Sequence, residues 1–195
     1  MSEIQEILSA IGNSRQAYAP SDDTFLMVDA LSKIPLGDKE ILDLGTGSGT
    51  LGLLCARRGA HATVADIDDS ILRDVTRASR RLNLTIDSIR SDVFSHIRKR
   101  FDVILFNPPY LPSKQINDPA VDGGKRGRGF IDRFLGDLQL HLKYDGCALL
   151  LVSSLNDPSA LVDRYHELSF SAVASRRLFF EELQVLLCKV RNLSA

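Results

Sequence analysis

The chain has 195 residues, of which 44% are hydrophobic and 25% charged, with a formal net charge of −1. That length supports one domain with a real core, and a charge near zero supplies no basic field for a nucleic-acid backbone, so nucleic acid is disfavoured as a partner. No apolar run approaches the roughly 20 residues of a membrane span, and the start, MSEIQEILSAIGNSRQ, is unlike a signal peptide.

In chain order, Ile4, Ile7, Leu8 and Ile11 form a helix-like stripe. Asp22 or Asp23 could cap a second helix with Phe25, Leu26, Val28 and Leu31 as its apolar surface. An alternation follows: strand 40–44, helix 50–58, strand 62–66, helix 70–82, strand 85–91, strand 101–106, helix 129–142, strand 147–153 and helix 158–167. Two β-rich runs near 171–180 and 183–190, joined around Glu181, predict an antiparallel hairpin. Strands such as ILDL, DVILF and ALLLV are apolar throughout, as a parallel sheet covered on both faces requires. The expected fold is α/β and Rossmann-like, with a mostly parallel seven-stranded sheet and a C-terminal antiparallel hairpin. The stretch 111–128 has no periodicity, and a loop that long is usually functional. Cys55, Cys147 and Cys188 lie far apart in apolar segments, and His61, His96, His141 and His166 show no ligand spacing. These features predict buried reduced thiols, no metal site and a cytoplasmic protein.

Ligands of such sheets bind beyond the carboxyl ends of the strands. The first strand ends in ILDLGTGSGTLG, which also fits GxGxxG, so a nicotinamide or flavin has to be weighed. Asp43 argues against it: a carboxylate repels a pyrophosphate but suits a cationic amino-acid head group. Asp66 ends the second strand, where an acid takes ribose hydroxyls in either cofactor class. Asp92, after the third strand, is placed to hold an adenine amino group. Three acids at successive strand ends suit S-adenosyl-L-methionine, which carries a ribose, an adenine and a sulfonium but no phosphate.

The fourth strand ends in FNPPY, residues 106–110. Pro108 and Pro109 fix φ and remove two backbone donors, giving a stiff turn that presents carbonyls. Asn107 Oδ1 and the Pro108 carbonyl can then accept from one planar NH2 group, with Tyr110 as a flat wall. Such a socket orients a delocalised nitrogen and stabilises the charge that develops on methylation. Alone it does not separate a glutamine amide from an adenine N6 or guanine N2.

DLGTGSG, Asp66 and FNPPY together resemble class I methyltransferases acting on amide or exocyclic amino groups. AYAPSDDTFLMVDAL (17–31), GGKRGRGFIDRFL (123–135) and LFFEELQVL (178–186) narrow the likeness. The ensemble is similar to the small HemK-like glutamine methyltransferases of archaea and eukaryotes, which modify the GGQ-loop glutamine of class I release factors. The resemblance implies that Tyr18, Thr24, Asp43, Gly45, Thr46, Gly47, Asp66, Ile67, Asp92, Val93 and Asn107 line the cofactor pocket. It implies catalysis at Asn107, Pro108, Pro109 and Tyr110, and substrate contacts from Asn107, Pro108, Tyr110, Gly124 and Arg128. Residues 1–195 would form one domain, with 1–38 packing on the cofactor side of a core at 39–195. Members of this type are similar in needing a small zinc-binding activator protein, which would pair with an edge strand at 85–91. Nucleic-acid amino methylation, protein-lysine methylation and a non-catalytic cofactor-binding scaffold are the competing functions.

Overall fold

A computed structural model describes residues 2–12, 21–111 and 127–191. Tyr18, Pro20, Gly123 and Gly124 lie outside the described residues, as does most of the stretch between Leu111 and Arg128. The described elements are helices α1 (Glu3–Ile11), α2 (Asp22–Leu31), α3 (Thr50–Arg57), α4 (Asp69–Arg81), α5 (Gly129–His141) and α6 (Pro158–Arg164), with strands β1 (Glu40–Leu44), β2 (His61–Asp66), β3 (Asp87–Arg90), β4 (Phe101–Phe106), β5 (Leu142–Ser153), β6 (Leu168–Arg177) and β7 (Glu182–Val190). They form one sheet in the order β3-β2-β1-β4-β5-β7-β6. β1 to β5 pair in parallel, and β7 runs antiparallel between β5 and β6.

Period-two alternation places successive side chains of the central strands on opposite faces. Val103 and Leu105 join one core with Ile41, Val64, Met27 and Leu53, whereas Ile104 and Phe106 join a second with Leu42, Leu44, Phe134 and Leu138. Both faces are buried, which is why these strands read as unbroken apolar runs. α1 opens with a capping box, in which Ser2 Oγ accepts from Gln5 N–H at 3.3 Å and Ser2 N–H donates to Gln5 Oε1 at 3.1 Å. It then packs on α3 and α4, with Glu6 paired to Arg57 and Glu3 to Arg58.

Several boundaries differ from those expected. β5 begins five residues early, because Leu142 pairs with Phe101 ahead of a register shift, and the polar KYDG within it hides the strand signal. β6 starts at Leu168 and ends at Arg177, so Phe179 and Phe180 sit in the hairpin turn, 92% and 86% exposed, although their aromatic character suggested strand. β3 shortens to four residues and α6 stops at Arg164. Ser21, not Asp22 or Asp23, occupies the N-cap position of α2. Both acids lie in its first turn, where they favour the positive end of the helix dipole.

Candidate active site

β1 and β4 are parallel neighbours, so the glycine turn after Leu44 and the NPPY turn after Phe106 emerge side by side at the carboxyl ends of the strands. In the glycine turn, Gly49 is the N-cap of α3 at φ 80°, a left-handed conformation that only glycine adopts without strain. Four amides in and just after the turn are already committed. Thr46 N–H donates to Ala65 O at 2.9 Å, Gly47 N–H to Asp66 Oδ2 at 3.1 Å, Gly49 N–H to Thr46 O at 2.9 Å and Gly52 N–H to Asp43 Oδ2 at 2.9 Å. A pyrophosphate needs such amides free. Their engagement with carboxylates and carbonyls disfavours the dinucleotide reading.

Asp43 is buried, and Thr46 Oγ1 donates to its Oδ2 at 2.6 Å. Burial pushes its carboxyl up to about 7, against the opposing effect of the Thr46 and Gly52 hydrogen bonds. A nearby cation would reverse that shift. Asp66 is likewise raised by burial, and its Oδ1 accepts from Asp68 N–H at 3.1 Å.

After β3, the backbone follows an unusual path. Val93 sits at φ 49°, a strained conformation for a β-branched residue. Ser91 holds the turn: its Oγ donates to Val93 O at 2.7 Å and accepts from His96 N–H at 3.0 Å. Asp92, expected to hold an adenine amino group, is paired within the chain. Arg133 of α5 takes both of its carboxylate oxygens, at 3.0 and 2.9 Å, and the same guanidinium lies 6.0 Å from the centre of the Phe130 ring. Ser91, Phe130 and Arg133 were not singled out from sequence, and the Arg133–Asp92 pair spans 41 positions with no local signal.

At the NPPY turn, Asn107 Nδ2 donates to Asp23 Oδ2 at 3.1 Å, while Asn107 Oδ1 is buried and has no partner among the described residues. Tyr110 is pinned through its backbone. Asn156, fully buried after β5, donates from Nδ2 to Tyr110 O at 2.7 Å and accepts from Ser153 N–H at 2.8 Å. Gly127 abuts the same carbonyl, close enough that a Cβ there would fall 1.9 Å from Tyr110 O. Arg128 is buried and turns to Asp132 at 3.2 Å, outside the cavity lining. Asp23 and Asn156 are thus structural partners of the turn that sequence reading did not assign to it.

These residues enclose a cavity of about 630 Å³. Its lining includes Thr24, Asp43, Gly45, Thr46, Gly47, Asp66, Ile67, Asp92, Val93 and Asn107–Tyr110. Asp43 and Asp66 are acidic groups suited to an ammonium and a ribose, and Ile67, Val93 and Phe130 provide apolar walls for a base. With four of the amides around the turn already engaged, the donor set fits S-adenosylmethionine better than a pyrophosphate. Among the described residues there is no His, Cys, Asp and Glu group that could hold a metal, and the three cysteines are free and buried. Also among the described residues, no helix is long and apolar enough to cross a membrane.

The methyltransferase small domain family matches residues 21–122. A protein of Methanocaldococcus jannaschii assigned as an N5-glutamine methyltransferase is 34% identical over 180 residues, which cover 88% of this chain and 90% of that one. The release factor glutamine methyltransferase of Buchnera aphidicola is 36% identical over 113 residues, and the match spans 41% of its length. Among solved structures, E. cuniculi Mtq2 in its complex with Trm112, responsible for methylating the termination factor eRF1, superposes with a TM-score of 0.74 at 27% identity, covering 90% of this chain and 99% of that one. The chain therefore belongs to the methyltransferase small domain family, beside the HemK-like protein-glutamine N5-methyltransferases, and is an S-adenosylmethionine-dependent methyltransferase.

Proposed function

We propose that this protein methylates the side-chain amide nitrogen of the GGQ glutamine in a class I release factor. The observation that carries the reading is the buried Asn107 Oδ1, which has no donor among the described residues while Nδ2 is engaged by Asp23. A buried unpaired acceptor costs about 1–3 kcal/mol. Pairing it with a substrate N–H recovers that cost when the amide is seated.

Bound S-adenosylmethionine supplies a methyl group already activated on a sulfonium. Asp43 holds the amino-acid end, Asp66 the ribose, and Ile67 and Val93 flank the base. Asn107 Oδ1 and the Pro108 carbonyl accept from the substrate NH2, orient its nitrogen and stabilise the positive charge growing on it. The stiff Pro108-Pro109 pair, anchored at Tyr110 O by Asn156, keeps these acceptors from relaxing. The methylated amide then releases one proton to solvent.

The names of the relatives support glutamine over a nucleobase, and so does a chain with a formal net charge of −1. Lysine fits less well, because an ammonium must lose a proton before it can attack. β3 pairs with β2 on one side only, and its other edge suits a small activator of the kind seen bound to Mtq2. The reading also places the protein in the cytoplasm, where release factors work, with residues 1–195 acting as one catalytic unit.

The test is transfer of a labelled methyl group from S-adenosylmethionine to a release factor, with and without a co-purified activator. Labelling should vanish when the loop glutamine is replaced by alanine. Undiminished labelling of that variant rules out the glutamine. Asn107→Ala should bind the cofactor normally and lose about 10²–10³-fold in kcat.

A further inference from the structure

An asparagine amide has an accepting end and a donating end of nearly equal size, so its catalytic sense depends on what faces it. Asp23 decides this for Asn107. The Asp23 carboxylate, buried in the first turn of α2, is filled on its Oδ1 side by three donors: Thr24 N–H at 2.6 Å, Ser21 Oγ at 2.7 Å and Thr24 Oγ1 at 3.3 Å. Its Oδ2 side meets Asn107 at 3.1 Å. A carboxylate oxygen accepts and cannot donate. Asn107 therefore presents NH2 to Asp23 and directs its carbonyl oxygen the other way, where it is buried and has no partner among the described residues.

We infer that Asp23 is a positioning residue that locks the Asn107 amide in one orientation, making it a pure acceptor toward the substrate nitrogen. The inference rests on the glutamine-methylating reading for its activity arm. A flipped amide would place NH2 against the NH2 of the substrate, two donors in contact, and would remove one of the two acceptors of the socket. This lock also explains why the chain holds an acidic side chain, itself buried, at a site that must already accommodate Asp43 and Asp66.

The geometry dictates the effect of an isosteric change. In Asp23→Asn the three donors from Ser21 and Thr24 keep the amide oxygen on their side. The new NH2 then faces Asn107, which must flip. Asn107→Asp alone sets one carboxylate against another and should also be impaired. The exchange Asp23→Asn with Asn107→Asp restores one donor facing one acceptor, and returns an unpaired oxygen to the socket.

The experiment compares the full chain, with any required activator, as wild type, Asp23→Asn, Asn107→Asp and the double exchange. Cofactor affinity, kcat on the release factor and the nitrogen-15 signal of the Asn107 side-chain amide are measured for each. Asp23→Asn should bind the cofactor within threefold of wild type and lose about 100-fold in kcat, the scale of one oriented acceptor. The double exchange should recover at least tenfold of that loss, which a merely structural role for Asp23 would not produce. In wild type, the Asn107 NH2 protons should show nuclear Overhauser contacts to the Asp23 Hβ protons, and these should be lost in Asp23→Asn.

Wild-type kcat in Asp23→Asn, or a double exchange no better than Asp23→Asn, overturns the inference. So does the absence of the Asn107–Asp23 proton contact in wild type, which is decisive even if the variants fold poorly. If wild type does not methylate the release factor, the substrate reading fails by itself, and the proton contact still decides the orientation of Asn107.

Discussion

Gly52→Ala tests how the helix after β1 is held against the sheet. Gly52 is the third residue of α3, and a Cβ there would lie 2.5 Å from Val64 Cγ1 and 3.1 Å from Asp43 Oδ2. Carbon–carbon contacts become favourable only from about 3.5 Å, so the helix must retreat by about 1 Å or Val64 must move. Val64 is fully buried in β2, so moving it means shifting packed neighbours. Overpacking of this kind costs about 1–3 kcal/mol. The retreat also stretches the 2.9 Å hydrogen bond from Gly52 N–H to Asp43, a charge-assisted contact worth about 1.5–3 kcal/mol. Alanine returns about 1 kcal/mol of helix propensity, which leaves a net loss of about 1.5–5 kcal/mol on these figures. Urea unfolding measures that loss, and calorimetry with S-adenosylmethionine should show affinity reduced by about tenfold or more, since a 1 Å displacement of positioning groups is costly. Val64→Ala removes the clashing methyl, so Gly52→Ala and Val64→Ala together should be more stable than the sum of the single effects by about 1–2 kcal/mol. A Gly52→Ala protein with the wild-type urea midpoint and cofactor affinity refutes the close-packing argument.

Further expectations follow from the same geometry. Asp43 titrates near 7 in the free protein, and only its ionised form attracts an ammonium. Cofactor affinity should therefore rise about tenfold per pH unit as pH climbs toward 7 and level off above it; calorimetry between acid and mildly alkaline pH measures this, and Asp43→Asn should flatten the profile. Asp66→Ala removes the acceptor for Gly47 N–H together with the ribose contact, and should weaken cofactor binding by roughly 10–100-fold, the worth of one or two hydrogen bonds to a charged group. Asn156→Ala strips partners from the Ser153 amide and the Tyr110 carbonyl. It should lower stability by about 2–4 kcal/mol in a denaturant titration and reduce kcat more than cofactor affinity, because the Tyr110 carbonyl loses its Asn156 contact while Asp43 and Asp66 are untouched.

Features that depend on neighbours along the chain are legible in the amino-acid order. Strand–helix alternation reports burial on both faces of the sheet, and GTGSG reports a turn that other residues would strain. The rigidity of Asn107-Pro108-Pro109-Tyr110 is written in its two prolines. Boundaries failed where local composition misled: KYDG hid the start of β5, and Phe179-Phe180 looked like strand although they form a turn. Which distant groups meet depends on the fold. Asp23 reaches Asn107 across 84 positions, Asn156 reaches Tyr110 across 46, and Arg133 takes the Asp92 carboxylate across 41. Such contacts arise from the order of strands in the sheet and the packing of α2 and α5, so no local spacing encodes them. The sequence supplied the amide at position 107, and the packing of α2 decided which end of it meets Asp23.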